Sequence, residues 1–176
     1  MPRVFLKVGD DVSTDVIYPG RYMATVLPKE TPAHAFADHP FFQAAISAGA
    51  LTPGSVIAAG RNFGCGSSRE QAASCLKGHE LVVIAPSFAR IFLQNAINLG
   101  LKVVIAPSFE ADEGDEVDFE GGRVLNRTSN RAFEVVPLPK ARQAIIDAGG
   151  LVPYTRARLV AAKSARGAPR AASQPP

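Results

Sequence analysis

The sequence predicts one α/β domain: a parallel core sheet with helices packed around it, followed by a short antiparallel addition. Three observations predict it. Between residues 55 and 106, short apolar runs alternate with amphipathic segments in the order strand–helix–strand–helix–strand, an order that implies parallel pairing through right-handed crossovers. The segment VVIAPSF occurs twice, at 82–88 and 103–109. It is too short for a repeated domain and reads as two strands that end at equivalent places in one sheet. After Gly114 the pattern changes to short segments at 116–119, 123–126 and 132–136, separated by Gly121-Gly122 and Ser129-Asn130, which read as antiparallel strands.

The elements follow in order. Residues 3–8 (RVFLKV) alternate imperfectly and predict an opening strand, turned at Gly9-Asp10-Asp11. Val16-Ile17-Tyr18 is a short apolar segment stopped by Pro19-Gly20. Residues 33–48 read as helix broken or restarted at Pro40, with Asp38 as the cap of the second half. SVIAA at 55–59 is a buried-type strand, and a glycine-rich loop follows at 60–66. Ser67-Ser68-Arg69-Glu70 opens a helix to about Lys77, with Gly78 as its stop. LVVIA at 81–85 is the next strand. Ser87 is placed to cap a helix from Phe88 to about Asn98, ended by Gly100, before the strand at 102–106. A last helix spans 139–148 and stops at Gly149-Gly150.

The chain has 176 residues, 47% hydrophobic and 20% charged, enough for one compact domain with a real core. No apolar run approaches the roughly 18 residues of a membrane span. The N-terminus has no signal-peptide layout, so the expectation is a cytoplasmic protein with no membrane association. From Arg156 onward there are five basic residues and no acid, which leaves 14 basic against 16 acidic residues before it. The basic character therefore belongs to the tail, and the body lacks the basic face expected of a nucleic-acid binder. We divide the chain into a domain at 1–155 and a basic Ala/Pro-rich tail at 156–176 that is expected to be disordered.

The informative segment is GRNFGCGSSREQAA at 60–73. It follows a strand and opens a helix. Gly60, Gly64 and Gly66 permit sharp turning and close approach of a ligand to the backbone. Ser67 and Ser68 sit where a helix presents its first N–H groups, an end that attracts anions. Arg69 adds a planar fork suited to a carboxylate. These residues make a small-anion site with hydroxyls available for proton transfer. Local chemistry alone equally allows a glycine-rich connector in which a serine merely caps the helix. The spacings GxxxxGK[ST] and GxGxxG are absent, so a phosphate loop is the weakest reading.

GRNFGCGSSRE closely resembles the signature of the swivelling domain of the aconitase superfamily, in particular the small subunits of 3-isopropylmalate dehydratase, homoaconitase and dimethylmalate dehydratase. The resemblance extends to GDDVSTDVIYPGRYM at 9–23, APSFARIFLQNAINLGL at 85–101, GDEVDF at 114–119 and AIIDAGGLVPY at 144–154. It covers about residues 4–155 in the family's order. It implies the swivelling β/β/α fold and a heteromeric hydro-lyase acting on a 2-hydroxy acid, foremost isopropylmalate in leucine biosynthesis. The same chemistry on homoaconitate, dimethylmalate or another malate-like acid is the alternative. A non-catalytic anion-binding module that kept the fold is a second one.

The resemblance also implies roles. Ser67 matches the family's proton-transferring base, while Ser68 and Arg69 match residues that hold substrate carboxylate. Residues 21–25, Arg21, Tyr22, Met23, Ala24 and Thr25, match the substrate-selecting loop. Met23 and Ala24 depart from the YLRT pattern common in isopropylmalate enzymes, which bears on the acid accepted more than on the reaction. The family's [4Fe–4S] cluster lies on a large subunit, which would be this chain's partner. This chain is expected to bind no cofactor or metal itself. It has two cysteines, too few for the usual four-cysteine shell, and its three histidines have no metal-site spacing. Cys65 reads as a small loop residue and Cys75 as helix core. Asp10, Asp11 and Asp15 read as turn formers or partners of a nearby arginine. Arg90 suits either the site or a structural ion pair.

Overall fold

The computed structural model describes residues 1–167 of the chain. Strands β1 (Val4–Lys7), β2 (Val56–Ala58), β3 (Val82–Ala85) and β4 (Lys102–Ile105) form one parallel sheet in their sequence order. The crossovers carry α1 (Thr14–Ile17) and α2 (Pro40–Ser47), then α3 (Glu70–Gly78), then α4 (Arg90–Leu99). Right-handed crossovers between strands in sequence order put every helix on one face. Strand alternation follows. Ile57, Val83 and Val103 face the helices together with Phe42, Leu76, Phe92 and Ile97. Val56, Ala58, Val82 and Ile84 face the other way. That second face is covered by an antiparallel sheet of β5 (Val117–Glu120), β6 (Arg123–Asn126) and β7 (Arg131–Glu134), through Val117 and Val124. The layers are thus β/β/α, as expected. Among the described residues, no helix is long and apolar enough to cross a membrane.

The VVIAPSF copies are neighbours, but not in equivalent positions. Val82 pairs with Lys102 and Ala85 with Ile105, one residue out of step with the sequence match. Because strand side chains alternate, matching residues face opposite sides: Val82 lies in the outer cluster and Val103 in the helical one. The continuations part accordingly. Phe88 packs with the helices and Phe109 with the antiparallel side. A one-residue offset thus sends the chain across the sheet after β4.

Several predicted ends differ. His39, not Asp38, caps α2, its Nδ1 accepting from the Phe42 amide at 3.3 Å, with Pro40 in the first turn. Ser87 does not cap α4, which starts after Ala89; its hydroxyl instead accepts from the Asn62 amide at 2.9 Å. Gly78 is the last residue of α3 rather than a left-handed stop, and an added Cβ there would strike Pro32. Val16 and Ile17 are helical because Ser13 caps α1 through the Val16 amide. The expected disordered tail is corrected over 156–167: α5 (Lys140–Asp147) is followed by α6, Leu151–Gly167. Residues 168–176 lie outside the described residues.

Gly100 ends α4 in the left-handed conformation, at φ 74°. A Cβ there would press into the backbone of Gly149, 2.7 Å from its carbonyl oxygen. Backbone cannot move aside as a flexible side chain can. Gly100→Ala should therefore destabilise the subunit by about 2–4 kcal/mol, combining left-handed strain with overpacking. A denaturant melt of the two proteins measures it, and a change below about 0.5 kcal/mol, the scale of an ordinary surface substitution, would contradict the packing described.

Candidate active site at the carboxyl end of the sheet

All four parallel strands point the same way, so the segments leaving β1, β2 and β3 emerge at one end of the sheet. Ligands bind outside the carboxyl ends of such strands. Residues 60–67 continue β2 irregularly and are held on both flanks. On one side the Gly64 amide donates to the Val12 carbonyl at 2.8 Å and Thr14 to Cys65 at 2.8 Å. On the other the Phe63 amide donates to Ser87 at 3.1 Å and Ala89 to Phe63 at 2.9 Å.

Phe63 anchors this stretch. It is fully buried and meets Phe92 edge-on, with ring centroids 5.2 Å apart. Gly64, at φ 81°, lets the chain pass directly over that ring, where a Cβ would overlap Phe92. The glycine here serves approach of the protein to itself rather than of a ligand to the backbone. The glycine-rich segment is consequently a held platform.

The platform ends in Ser67, Ser68 and Arg69. The Thr14 hydroxyl donates to the Ser67 carbonyl at 3.0 Å, and the Arg69 amide to the same oxygen at 2.9 Å. Arg69 is the N-cap residue of α3, without a side-chain cap bond. The helix therefore starts after both serines, and neither serves as its cap. Both serines are exposed, and among the described residues neither hydroxyl has a hydrogen-bond partner. Arg69 differs: its side chain is only 16% exposed and its Nη1 pairs with Asp15. The Tyr18 carbonyl lies 3.5 Å from the same nitrogen. Gly20 borders the guanidinium, since an ideal Cβ there would stand 3.5 Å from Nη2. Asp15 thus satisfies the arginine-partner expectation, and Asp10 and Asp11 accept from the Arg61 amide and the Asn62 side chain.

The remaining candidates divide. Arg21, Tyr22 and Gly20 form a 3-10 turn beside Arg69. Arg21 is not free there: it makes a two-pronged pair with Asp38, with one N···O distance of 2.9 Å. That contact holds the Asp38 carboxyl below its ordinary range. Met23 and Ala24 are exposed, and Thr25 is half-buried. Arg90 is exposed in the first turn of α4 and makes no ion pair among the described residues. A cavity of about 570 Å³ lies elsewhere, at the amino ends of β3 and β4, lined by Val82, Lys102, Val103 and Ile146.

The chain's residues do not fit an iron–sulfur cluster. Such clusters take about four thiolates, and of the two cysteines Cys75 is sealed in the core. Sequence reasoning left Thr14 and Tyr18 without a role at the site and gave Asp38 a different one. Their partners lie many residues away in the chain, and no local pattern marks such pairs.

A model of the aconitase C-terminal domain matches residues 53–104, which enclose the platform. A 3-isopropylmalate dehydratase small subunit from Thermodesulfovibrio yellowstonii is 44% identical over 160 residues, covering 87% of this chain and 92% of its own length. This chain belongs to the family of 3-isopropylmalate dehydratase small subunits. A solved structure of 3-isopropylmalate dehydratase (LeuD) from Methanocaldococcus jannaschii superposes with a TM-score of 0.81 at 39% identity, covering 94% of this chain and 98% of that one. The family's near relatives also include a methanogen homoaconitase small subunit from Methanothermobacter thermautotrophicus, 45% identical over 150 residues, 83% of this chain and 85% of its own. The fold and the enzyme class anticipated from the motifs thus stand, while the names of the relatives span more than one substrate.

The two thiols make a direct check of the site's geometry. Burial pushes the Cys75 thiol up, away from the pH range in which thiolate forms, whereas Cys65 is half-exposed on the platform. The folded subunit at pH 8 should show one rapidly reacting thiol per chain toward an aromatic disulfide reagent, lost in Cys65→Ser, with the second released only by denaturant. Two fast thiols would contradict the buried position of Cys75.

Proposed function

We propose that this chain completes the active site of a two-chain hydro-lyase that removes and re-adds water on a 2-hydroxy dicarboxylic acid. Isopropylmalate is the leading substrate and leucine biosynthesis the leading context. The observation that carries the reading is the pairing of Arg69 and Asp15 beside two serine hydroxyls that have no partner among the described residues, on a platform hydrogen-bonded at both flanks. A guanidinium fixed on one edge by a carboxylate keeps its other donors at a set angle, as two-point recognition of a substrate carboxylate requires.

Ser67 is the proposed acid–base group. A serine hydroxyl is neutral in water, so it takes a proton only where its alkoxide is stabilised. Arg69, two residues on, and the free amides at the start of α3 are the positive groups nearest in the chain. Ser68 is placed to donate to the same carboxylate as Arg69. The serines lie open to solvent, and a site that must exclude water needs a second surface closed over it. We assign that surface to a large subunit, and with it the [4Fe–4S] cluster for which this chain lacks ligands. Residues 21–25 present Met23 and Ala24, an apolar surface that favours a small or branched apolar substituent over a further carboxylate, because an unpaired buried carboxylate is costly. The slightly acidic body supports a metabolic rather than a nucleic-acid role, and we place the protein in the cytoplasm.

In the assembled enzyme, Ser67→Ala should lower kcat by ~10²–10⁴-fold, the usual span for losing a general acid–base group, while assembly persists. Arg69→Lys should chiefly raise KM, since an ammonium cannot reproduce a two-point fork. Steady-state kinetics with size-exclusion chromatography measure both. A Ser67→Ala enzyme with near-normal kcat would remove Ser67 from the chemistry.

A further inference from the structure

Residues 21–25 have little packing of their own: Arg21, Met23 and Ala24 are all exposed. Backbone hydrogen bonds from the Tyr22, Met23 and Thr25 amides close its turns, but they do not place its side chains, which a loop that selects substrate must hold. Three residues outside it add the remaining contacts. Tyr18 is fully buried, and its hydroxyl lies 3.2 Å from both the Tyr22 and the Thr25 carbonyls. One hydroxyl proton serves one carbonyl at a time, so this contact fastens the turn's backbone without orienting its side chains. His34 lies flat on the Tyr22 ring, with centroids 4.0 Å apart and planes 8° from parallel. The edge of Tyr18 meets both rings, at 6.1 and 6.4 Å. Asp38 takes the Arg21 guanidinium on two prongs, and that guanidinium stands 4.7 Å from the Tyr22 centroid.

His34 and Asp38 are both outside the loop, on the segment between it and α2. The Arg21–Asp38 pair is open to solvent on both sides, so it adds little to the stability of the fold. What it does change is the charge that the loop offers. Arg21 is the one cation among residues 21–25. Held by Asp38, its charge is balanced and two of its donors are taken by a carboxylate of the same chain. With Tyr22 pinned by His34, the loop then presents Met23 and Ala24.

We propose that Asp38 and His34 are positioning residues for substrate selection. Asp38 withholds Arg21 from an extra substrate carboxylate, and His34 sets the plane of Tyr22. The inference rests on reading residues 21–25 as the substrate-facing loop, and it gives Arg21 a role different from direct carboxylate contact.

The test compares kcat/KM for isopropylmalate and for homoaconitate, which carries one more carboxylate. It uses the enzyme assembled from the full chain and its large subunit, with Asp38→Asn, His34→Ala, His34→Phe and Ala24→Arg in the small chain. Asp38→Asn should shift the ratio toward homoaconitate by about fivefold, the effect of one released charge close to a carboxylate near solvent. Its melting temperature should not change. His34→Ala should also shift the ratio. His34→Phe, which keeps a flat ring on Tyr22, should restore it. If Ala24→Arg shifts the ratio while Asp38→Asn and His34→Ala do not, the loop selects substrate without these residues and the proposal is overturned. A fall in melting temperature or in kcat for His34→Ala, with the ratio unchanged, overturns it as well, leaving His34 a purely structural role. If Ala24→Arg also leaves the ratio unmoved, the reading of the loop falls together with the proposal.

Discussion

Four parallel strands joined in sequence order by right-handed crossovers leave one face of the sheet without helices. Most of the architecture follows from that constraint. The bare face carries Val56, Val82 and Ile84 and cannot stay in water, so the chain builds a second, antiparallel sheet to cover it. The same constraint directs all the strands to one end. There the segments after β1, β2 and β3 lie side by side and hold the glycine-rich platform between them. The bulge in β1 belongs to the same logic. An extra residue at Phe5 lets Val4 face the antiparallel sheet and Leu6 the helices. It also sets Phe5 against Phe41 and Phe42 of α2.

The platform's rigidity comes from beneath it. Phe63 packs edge-on against both Phe88 and Phe92, which stack on each other, and removing a buried phenylalanine of this kind typically costs ~3–5 kcal/mol. Its upper surface contrasts with that base: two exposed serine hydroxyls and one anchored guanidinium. An arginine whose side chain is mostly buried is rarely left unpaired, and Asp15 meets that need from a helix formed far earlier in the chain. The pair joins the α1 region to the start of α3 and thereby fixes the relation between the platform and residues 21–25. The half-site proposed for this chain is braced from below and open above. Rigidity suits transition-state binding, whereas openness demands a second surface.

The parallel pairing, the antiparallel addition and the glycine-rich loop could be read from the sequence because they rest on local patterns: apolar runs, glycines and a serine pair before a helix; the β/β/α layering came from the family resemblance. The features that escaped depend on distant partners. Asp38 has the right chemistry for a helix cap, yet Arg21 competes for it and His39 caps α2 instead. Ser87 is likewise drawn from its own helix to the Asn62 amide. Gly78 stands at the end of a helix for lack of room beside Pro32. The repeated VVIAPSF segments look equivalent, but their register places them one residue apart and on opposite faces. The helix over residues 156–167 shows a similar limit. Its Ala- and Arg-rich composition suits a helix as well as a solvated tail, and the preceding Gly149-Gly150 stop hides its start.

Whether this chain supplies half of an active site is settled by reconstitution. The chain is purified anaerobically, supplied with iron and sulfide, and assayed by absorption and by hydration of the unsaturated acid, first alone and then with its large subunit. The chain alone should show no stoichiometric cluster and no turnover, and turnover should appear when the large subunit is added. A stoichiometric cluster on the isolated chain, or activity without a second protein, would contradict the two-chain reading.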